Sequence, residues 1–286
     1  MSDFRPRRSV LYMPGANDKA LEKAKTLDAD ALILDLEDSV APDAKSEARL
    51  KVAAAVVSRE YGHRELVIRT NGIGTQWHAD DIAAAVAAGP DAILVPKVNN
   101  AAEVLQLVEA ISDAPEHTKL WAMIETPEAI RNAYDICSAA DRLTVLVMGT
   151  NDLVSELRAA RVPGRAPILT ALSQALLAAR EAGKIIIDGV YNDVKDPEGF
   201  VAECKQGFEF GFDGKTLIHP NQIDDANKVF APSEAEVEHA KEVIAAFETA
   251  QAEGKGVITV NGKLIENLHV REAERTIAVS EALAIR

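Results

Sequence analysis

The sequence predicts a TIM-type (β/α)8 barrel followed by a small C-terminal lid built as helix, hairpin and helix. Three observations point there. Apolar runs of strand length recur as far as His219, with helix-periodic segments between them. The runs are apolar on both faces, as in a parallel sheet covered on each side. Polar groups stand just after nearly every run, as they do where barrel strands open onto one mouth. The competing open, doubly wound sheet would gather such groups at a single switch point.

In order, the strand-like runs are Ser9 to Met13, Ala31 to Leu36, Glu65 to Thr70, Ala92 to Pro96, Lys119 to Ile124, Leu143 to Met148, Lys184 to Gly189 and Thr216 to His219. Amphipathic helices separate them. Ala20, Leu21, Ala24 and Leu27 share one face, as do Val104, Leu105, Val108 and Ile111, and Ile82 to Ala88 and Ile168 to Ala182 are similarly helical. About eight such alternating units make a barrel. No G-x-G-x-x-G or P-loop pattern follows any run, so neither common nucleotide-phosphate loop is expected.

Near Phe230 the pattern changes. Ala231-Pro232-Ser233 breaks the chain, and Ser233 with Glu236 forms a capping box for a long helix through Ala250. Gly254-Lys255-Gly256 then leads into VITV, the turn Asn261-Gly262 and KLIE, which read as a two-residue hairpin. A last helix is expected from about Val270 to Ala284. The expected division is a barrel over 1–230 and a lid over 231–286. A hairpin this small cannot bury its own face, so the lid is expected to pack on the barrel or on another subunit.

The chain has 286 residues, 48% hydrophobic and 27% charged, the profile of a folded globular protein with a sizeable core. A formal net charge of −14 argues against nucleic acid or an anionic membrane as a partner, because the overall field repels a polyanion. A local basic patch can still receive an anionic small molecule. The N-terminal Arg5, Arg7, Arg8, Lys19, Lys23 and Lys25 outweigh Asp3, Asp18 and Glu22 and form either such a patch or an ordinary solvated face. Cys137 and Cys204, far apart and both in predicted helices, read as reduced thiols of a cytoplasmic protein. Neither a signal-peptide core nor a bilayer-length apolar stretch is present in the sequence.

In a parallel barrel the groups just after each strand converge. The second strand delivers Asp35, Glu37 and Asp38, the third Arg69 and Asn71, the fourth Lys97, the fifth Glu125 and the sixth Asp152; the seventh and eighth add Asp188, Lys215 and His219. Several acids and cations facing one cavity are costly unless a metal and an anionic ligand neutralise them. Glu125 and Asp152, hard oxygen donors on neighbouring strand tips, suit Mg²⁺ or Mn²⁺. A structural alternative stands beside this: Glu125 capping a helix that begins near Pro127, and Asp152 in an Asx-type turn. Asp35 and Glu37 are suited to holding metal-bound waters. Arg69 can grip a carboxylate or polarise a carbonyl. Lys97 and Lys215 are either ligand-binding cations or structural partners of neighbouring acids. His219 reads as a hydrogen-bonded strut more than a base, no His or Cys spacing suits zinc, and no nucleophile motif is present.

Taken together, RSVLYMPG (8–15), DLEDSVAPD (35–43), IRTNG (68–72), LVPKV (94–98), MIET, MGTND and GFDGKTLIHPNQI (211–223) resemble the HpcH/HpaI aldolase, or citrate lyase beta-subunit-like, superfamily of CoA-ester lyases. The resemblance spans essentially the whole chain. WAMIET, VMGTNDL, DGVYN (188–192) and GKLIENLHV (262–270) look most like its (S)-malyl-CoA thioesterase branch. The resemblance implies a Mg²⁺-dependent barrel with a C-terminal lid. It also implies Glu125 and Asp152 as metal ligands, Arg69 as a substrate-binding arginine, and a CoA site at the first strand and helix, including Arg8, Tyr12, Pro14 and Lys19. Malyl-CoA lyases of this kind usually place an Asp in the lid hairpin as a base that completes the site of an adjacent subunit. The matching residue here is Glu266, one methylene longer.

The resulting expectation is an enzyme for a short β-hydroxyacyl-CoA with a distal carboxylate, malyl-CoA first. Glu266, Arg69, Asp35 and Glu37 are its expected catalytic groups, and Lys97 and Asp188 join the substrate contacts. Hydrolysis to malate and CoA is the leading outcome. Lyase cleavage of malyl-CoA, citramalyl-CoA or β-methylmalyl-CoA is the alternative, and a CoA-independent 2-keto acid aldolase a further one. A lid acting in trans implies a homotrimer or hexamer.

Overall fold

The computed structural model describes residues 5–252 and 258–285; Asp3 and the Gly254-Lys255-Gly256 link lie outside the described residues. Strands β1 (Ser9–Pro14), β2 (Ala31–Asp35), β3 (Glu65–Arg69), β4 (Ala92–Val95), β5 (Lys119–Ile124), β6 (Leu143–Met148), β7 (Ile185–Asp188) and β8 (Gly214–Leu217) form a closed barrel in sequence order. All pairings are parallel, and β8 returns to β1 with Val10 opposite Thr216. Around it run α1 (Asp18–Ala24), α2 (Lys45–Ser58), α3 (His78–Ala88), α4 (Ala101–Ala110), α5 (Pro127–Arg131), α6 (Ala133–Ser138), α7 (Thr150–Glu156), α8 (Leu169–Glu181), α9 (Pro197–Phe210) and α10 (Ile223–Val229). This is the expected TIM-type α/β barrel.

The two-residue period of a strand decides what fills the barrel. Ala31 and Ile33, Ala92 and Leu94, Trp121 and Met123, and Val145 and Val147 meet in one interior cluster. The residues between them, such as Leu32, Leu34, Ile93 and Leu146, are fully buried as well. Helices cover the outer wall, which is why the runs are apolar without alternation. Each fully buried Leu or Ile contributes about 1.5–3 kcal/mol of apolar transfer. The two-sided wall is therefore the main stabilising feature, and ion pairs add local order. At the N-terminal ends, Arg7 pairs with Glu65 at 2.6 Å and Arg8 with buried Asp30 at 2.8 Å.

One strand begins earlier than its sequence suggests. β8 starts at Gly214, and Lys215, opposite Ser9 and Asp188, is fully buried in it. A lysine rarely lies inside a wall unless paired. Here Asp188 and Glu203 supply the pairing, at 3.0 and 2.8 Å.

The chain divides into two compact units, Arg7–Asn227 and one that takes in the chain from Lys228 onward. In the second unit α11 (Glu234–Ala252), β9 (Ile258–Val260), β10 (Lys263–Ile265) and α12 (Asn267–Ala284) share a small core of Ala240, Val243, Phe247, Ile265 and Ala273. Ser233 and Glu236 form the expected cap, with Ser233 N–H to Glu236 Oε2 at 2.7 Å. The hairpin turns on Asn261 and Gly262, both at positive φ as a type I′ turn requires. The last helix starts at Asn267, ahead of Val270, because the Glu266 N–H donates to His269 Nδ1 at 3.0 Å and closes the helix start.

Candidate active site

Parallel registration brings the first charged groups together. Asp35 and Arg69 end neighbouring strands and are register partners. Arg69 Nε and Nη2 donate to Asp35 Oδ1 and Oδ2 at 2.7 and 2.8 Å, and Nη1 meets Glu37 Oε2 at 2.8 Å. The guanidinium also stacks over the Tyr12 ring, 4.7 Å from its centroid. Asp35 accepts the backbone N–H of Glu37 at 2.9 Å and of Ser39 at 3.1 Å, which folds the loop after β2 back over the strand.

Burial alone would push the Asp35 carboxyl up, but Arg69 and these N–H donors hold it below the ordinary range. Burial opposes the Arg69 charge, but Asp35, Tyr12 and Glu37 together outweigh it and keep the guanidinium firmly charged. Glu37 behaves differently. Burial pushes its carboxyl up to about 7, Arg69 opposing, and leaves it poised to exchange a proton near neutrality.

Glu125 follows β5 and is 2% exposed. It does not cap α5. Thr126 does, accepting the Ala129 N–H at 3.0 Å, with Pro127 as the first helical residue. Glu125 Oε1 instead accepts the Lys97 N–H at 2.8 Å, which Lys97 presents from a left-handed backbone at φ 52. A non-glycine residue held there is a local strain of the kind found at functional sites. Burial, then the charges of Asp152 and Glu37, push the Glu125 carboxyl up to about 8. Asp152 lies in the first turn of α7 rather than in an Asx turn, and Lys97 Nζ rests on its Oδ1 at 3.1 Å. This hydrogen bond and the surrounding carboxylates raise the Lys97 pKa.

These donors fit a divalent cation. Glu125 and Asp152 are mutually repelling hard oxygen donors, and Lys97 is the ammonium now set against one of them. Among the described residues no trio of His, Cys, Asp or Glu converges with metal-ligand geometry. One or two carboxylates, with water and substrate oxygens, are what Mg²⁺ usually takes.

The profile described as HpcH/HpaI aldolase/citrate lyase matches residues 8–220. The chain belongs to this family. It is 50% identical over 279 residues to a (3S)-malyl-CoA thioesterase of Cereibacter sphaeroides, covering 98% of this chain and 96% of that one. It is 37% identical over 289 residues to the citrate lyase subunit beta of Escherichia coli, covering 99% and 96%. The fold superposes on the protein CitE of Mycobacterium tuberculosis, solved in complex with magnesium, acetoacetate and coenzyme A. That match has a TM-score of 0.79 and 28% identity over 98% of this chain and all of that one.

For this HpcH/HpaI member, two expected contacts need correction. Arg8 precedes β1, so it lies at the barrel end opposite the mouth, where its Nε, Nη2 and N–H all bond Asp30 at 2.8–3.0 Å. Asp188 ends β7, but its oxygens are taken by Arg165 at 2.7 and 2.9 Å, Lys215 at 3.0 Å and the Gly189 N–H at 2.8 Å. Fully buried and fully bonded, it has no oxygen left for a substrate. Tyr12 lies beneath Arg69, Pro14 ends β1 half-buried, and Lys19 is exposed on α1. His219 Nδ1 bonds Asn221 Oδ1 at 2.6 Å, the strut that was expected. Glu266 has an exposed side chain at the start of α12.

Sequence reasoning passed over one residue here, Gly149. It follows β6, and a Cβ added to it would overlap the Glu125 carboxylate. The signal was the glycine directly after a strand in MGTND, which marks close approach of another group to the backbone.

Proposed function

We propose that this chain hydrolyses (3S)-malyl-CoA to malate and CoA with the help of Mg²⁺ or Mn²⁺. The observation that carries this reading is the buried Arg69, aligned by Asp35 and Glu37, beside the Glu125 and Asp152 carboxylates in a full-length relative of a malyl-CoA thioesterase. Glu125 and Asp152 would hold the cation. When bound, it neutralises the substrate's carboxylate and hydroxyl or carbonyl oxygens and polarises them as a Lewis acid.

The remaining work belongs to the chain. Nε and one N–H of each Nη of Arg69 are given to Asp35 and Glu37. The second Nη1 hydrogen faces Met123 Sδ at 3.8 Å, which leaves one Nη2 hydrogen for the thioester oxygen as negative charge develops on it. Because Asp35 fixes the guanidinium in advance, little reorganisation is needed at that moment. Glu37 can accept a proton from water or from the hydroxyl at neutral pH. Glu266, delivered by the lid of an adjacent copy in a homotrimer or hexamer, is the second proton acceptor. Tyr12, Pro14 and Lys19 form the side of the mouth that receives CoA. A reduced, cytoplasmic setting suits the two free buried cysteines.

The same site can cleave the carbon–carbon bond, giving acetyl-CoA and glyoxylate. The 37% identity to a citrate lyase subunit beta favours that second reading. Purified protein, Mg²⁺ and (S)-malyl-CoA, with free thiol and glyoxylate followed separately beside a Glu125→Ala control, distinguish the two. Thiol without glyoxylate supports hydrolysis, glyoxylate without thiol supports the lyase, and neither product refutes the substrate assignment.

A further inference from the structure

The first turn of α7 is gripped at four successive residues, Gly149 being the residue just before it. Gly149 packs on Glu125. Thr150 lies against Gly189, where an added Cβ would stand 2.5 Å from Thr150 Cγ2. Asn151 and Asn192 exchange amide hydrogen bonds of 2.6 and 3.1 Å. Asp152 meets Lys97. Two of these four partners, Gly189 and Asn192, come from the segment that follows β7.

A buried charge cluster anchors that segment. Lys215 Nζ donates to the Gly189 carbonyl at 2.6 Å, to Asp188 at 3.0 Å and to Glu203 at 2.8 Å. Asp188 in turn accepts the Gly189 N–H and both short contacts from Arg165 Nη1. Lys215 and Asp188 are both fully buried. Such a cluster is weak evidence for stability, since apolar residues of equal volume often serve as well. What it does here is fix both the N–H and the C=O of Gly189 in one orientation, against Thr150.

We propose that Gly189 and Asn192 are positioning residues for the Asp152 carboxylate, held in place by the Asp188, Lys215, Arg165 and Glu203 cluster. The inference rests on Asp152 being a ligand of the divalent cation. Neither residue touches the cation; each acts through the residue before Asp152 or the one before that. Residues outside the coordination sphere that orient a ligand typically change metal affinity by 10–100-fold when altered.

The test is Mn²⁺ affinity, read as free Mn²⁺ by electron paramagnetic resonance, with the melting temperature measured in parallel on the full chain. Gly189→Ala is expected to weaken Mn²⁺ binding by about 10-fold or more. Asn192→Ala, at an exposed site, should weaken it by about 10-fold, the low end of that range, with little change in melting temperature. Adding Thr150→Ala to Gly189→Ala removes Oγ1 and Cγ2, the two nearest atoms that the new methyl meets, leaves Cβ at 2.9 Å, and should restore part of the lost affinity. If Asp152→Ala abolishes binding while Gly189→Ala and Asn192→Ala stay within about twofold of the parent, the positioning role is overturned and the metal site survives. If Asp152→Ala leaves Mn²⁺ affinity unchanged, the metal-site reading itself fails, and this inference falls with it.

Discussion

Arg69→Met would leave Asp35 buried without its counter-ion. Asp35 is 1% exposed and gives both oxygens to Arg69, so the variant retains two backbone N–H donors but no opposing charge for it. Removing one member of a buried pair typically costs about 3–5 kcal/mol. For a chain of this size that corresponds to a fall in melting temperature on the order of 10 °C. The pH dependence carries the sharper test. In the parent, Asp35 is held below its ordinary value, so its contribution is present above the ordinary carboxylate range and is lost as pH falls through the folded value. Without Arg69, burial dominates and the folded value rises above the unfolded one. The protonated acid is then favoured, and the deficit of the variant should shrink on acidification. Melting curves in chelator-treated buffer from about pH 8 to about pH 5 should show the gap between parent and variant narrowing. Adding Asp35→Asn should recover part of the loss, because a neutral amide needs no counter-ion. A gap independent of pH, or a double variant as unstable as the sum of the singles, would refute the reasoning.

Two further outcomes follow from the mouth. Gly149→Ala should displace the Glu125 carboxylate; Mn²⁺ affinity is expected to drop by at least about 10-fold, and unchanged affinity would mean that Glu125 is not a ligand. Glu37, pushed up to about 7 against an unfolded value near 4.5, stabilises the fold at low pH, and that contribution is lost as pH rises through about 7. Glu37→Gln should therefore flatten this decline in thermal stability, and should remove a rise in thioester hydrolysis centred near neutrality. If the pH–rate profile of the variant matches the parent, Glu37 is not the proton acceptor.

Most of the architecture was legible in the residues. Eight short apolar runs between helical patterns admit few arrangements, since both faces of each strand must be covered and parallel strands need crossovers. The same rule pointed to the mouth: residues after strands converge, and Asp35, Glu37, Arg69, Lys97, Glu125 and Asp152 all lie there. Errors arose where a residue's end of the strand or its partner mattered. Arg8 belongs to a recognisable motif, yet it stands before its strand and not after it. Asp188 has the right position, but Lys215 and Arg165, distant in sequence, consume it.

The sequence by itself determined the period of the hydrophobic pattern, the strand and helix order, and the chemical types available at each strand end. Those are properties of local spacing and side-chain identity. Only the tertiary structure decided which charges are paired and which are left over. Barrel closure brings residues 34, 27 and 28 positions apart within hydrogen-bonding distance, as Arg69 with Asp35, Lys215 with Asp188, and the Lys97 N–H with Glu125. Burial then sets their protonation: the same carboxyl group is held down beside Arg69 at Asp35 and pushed up to about 8 at Glu125.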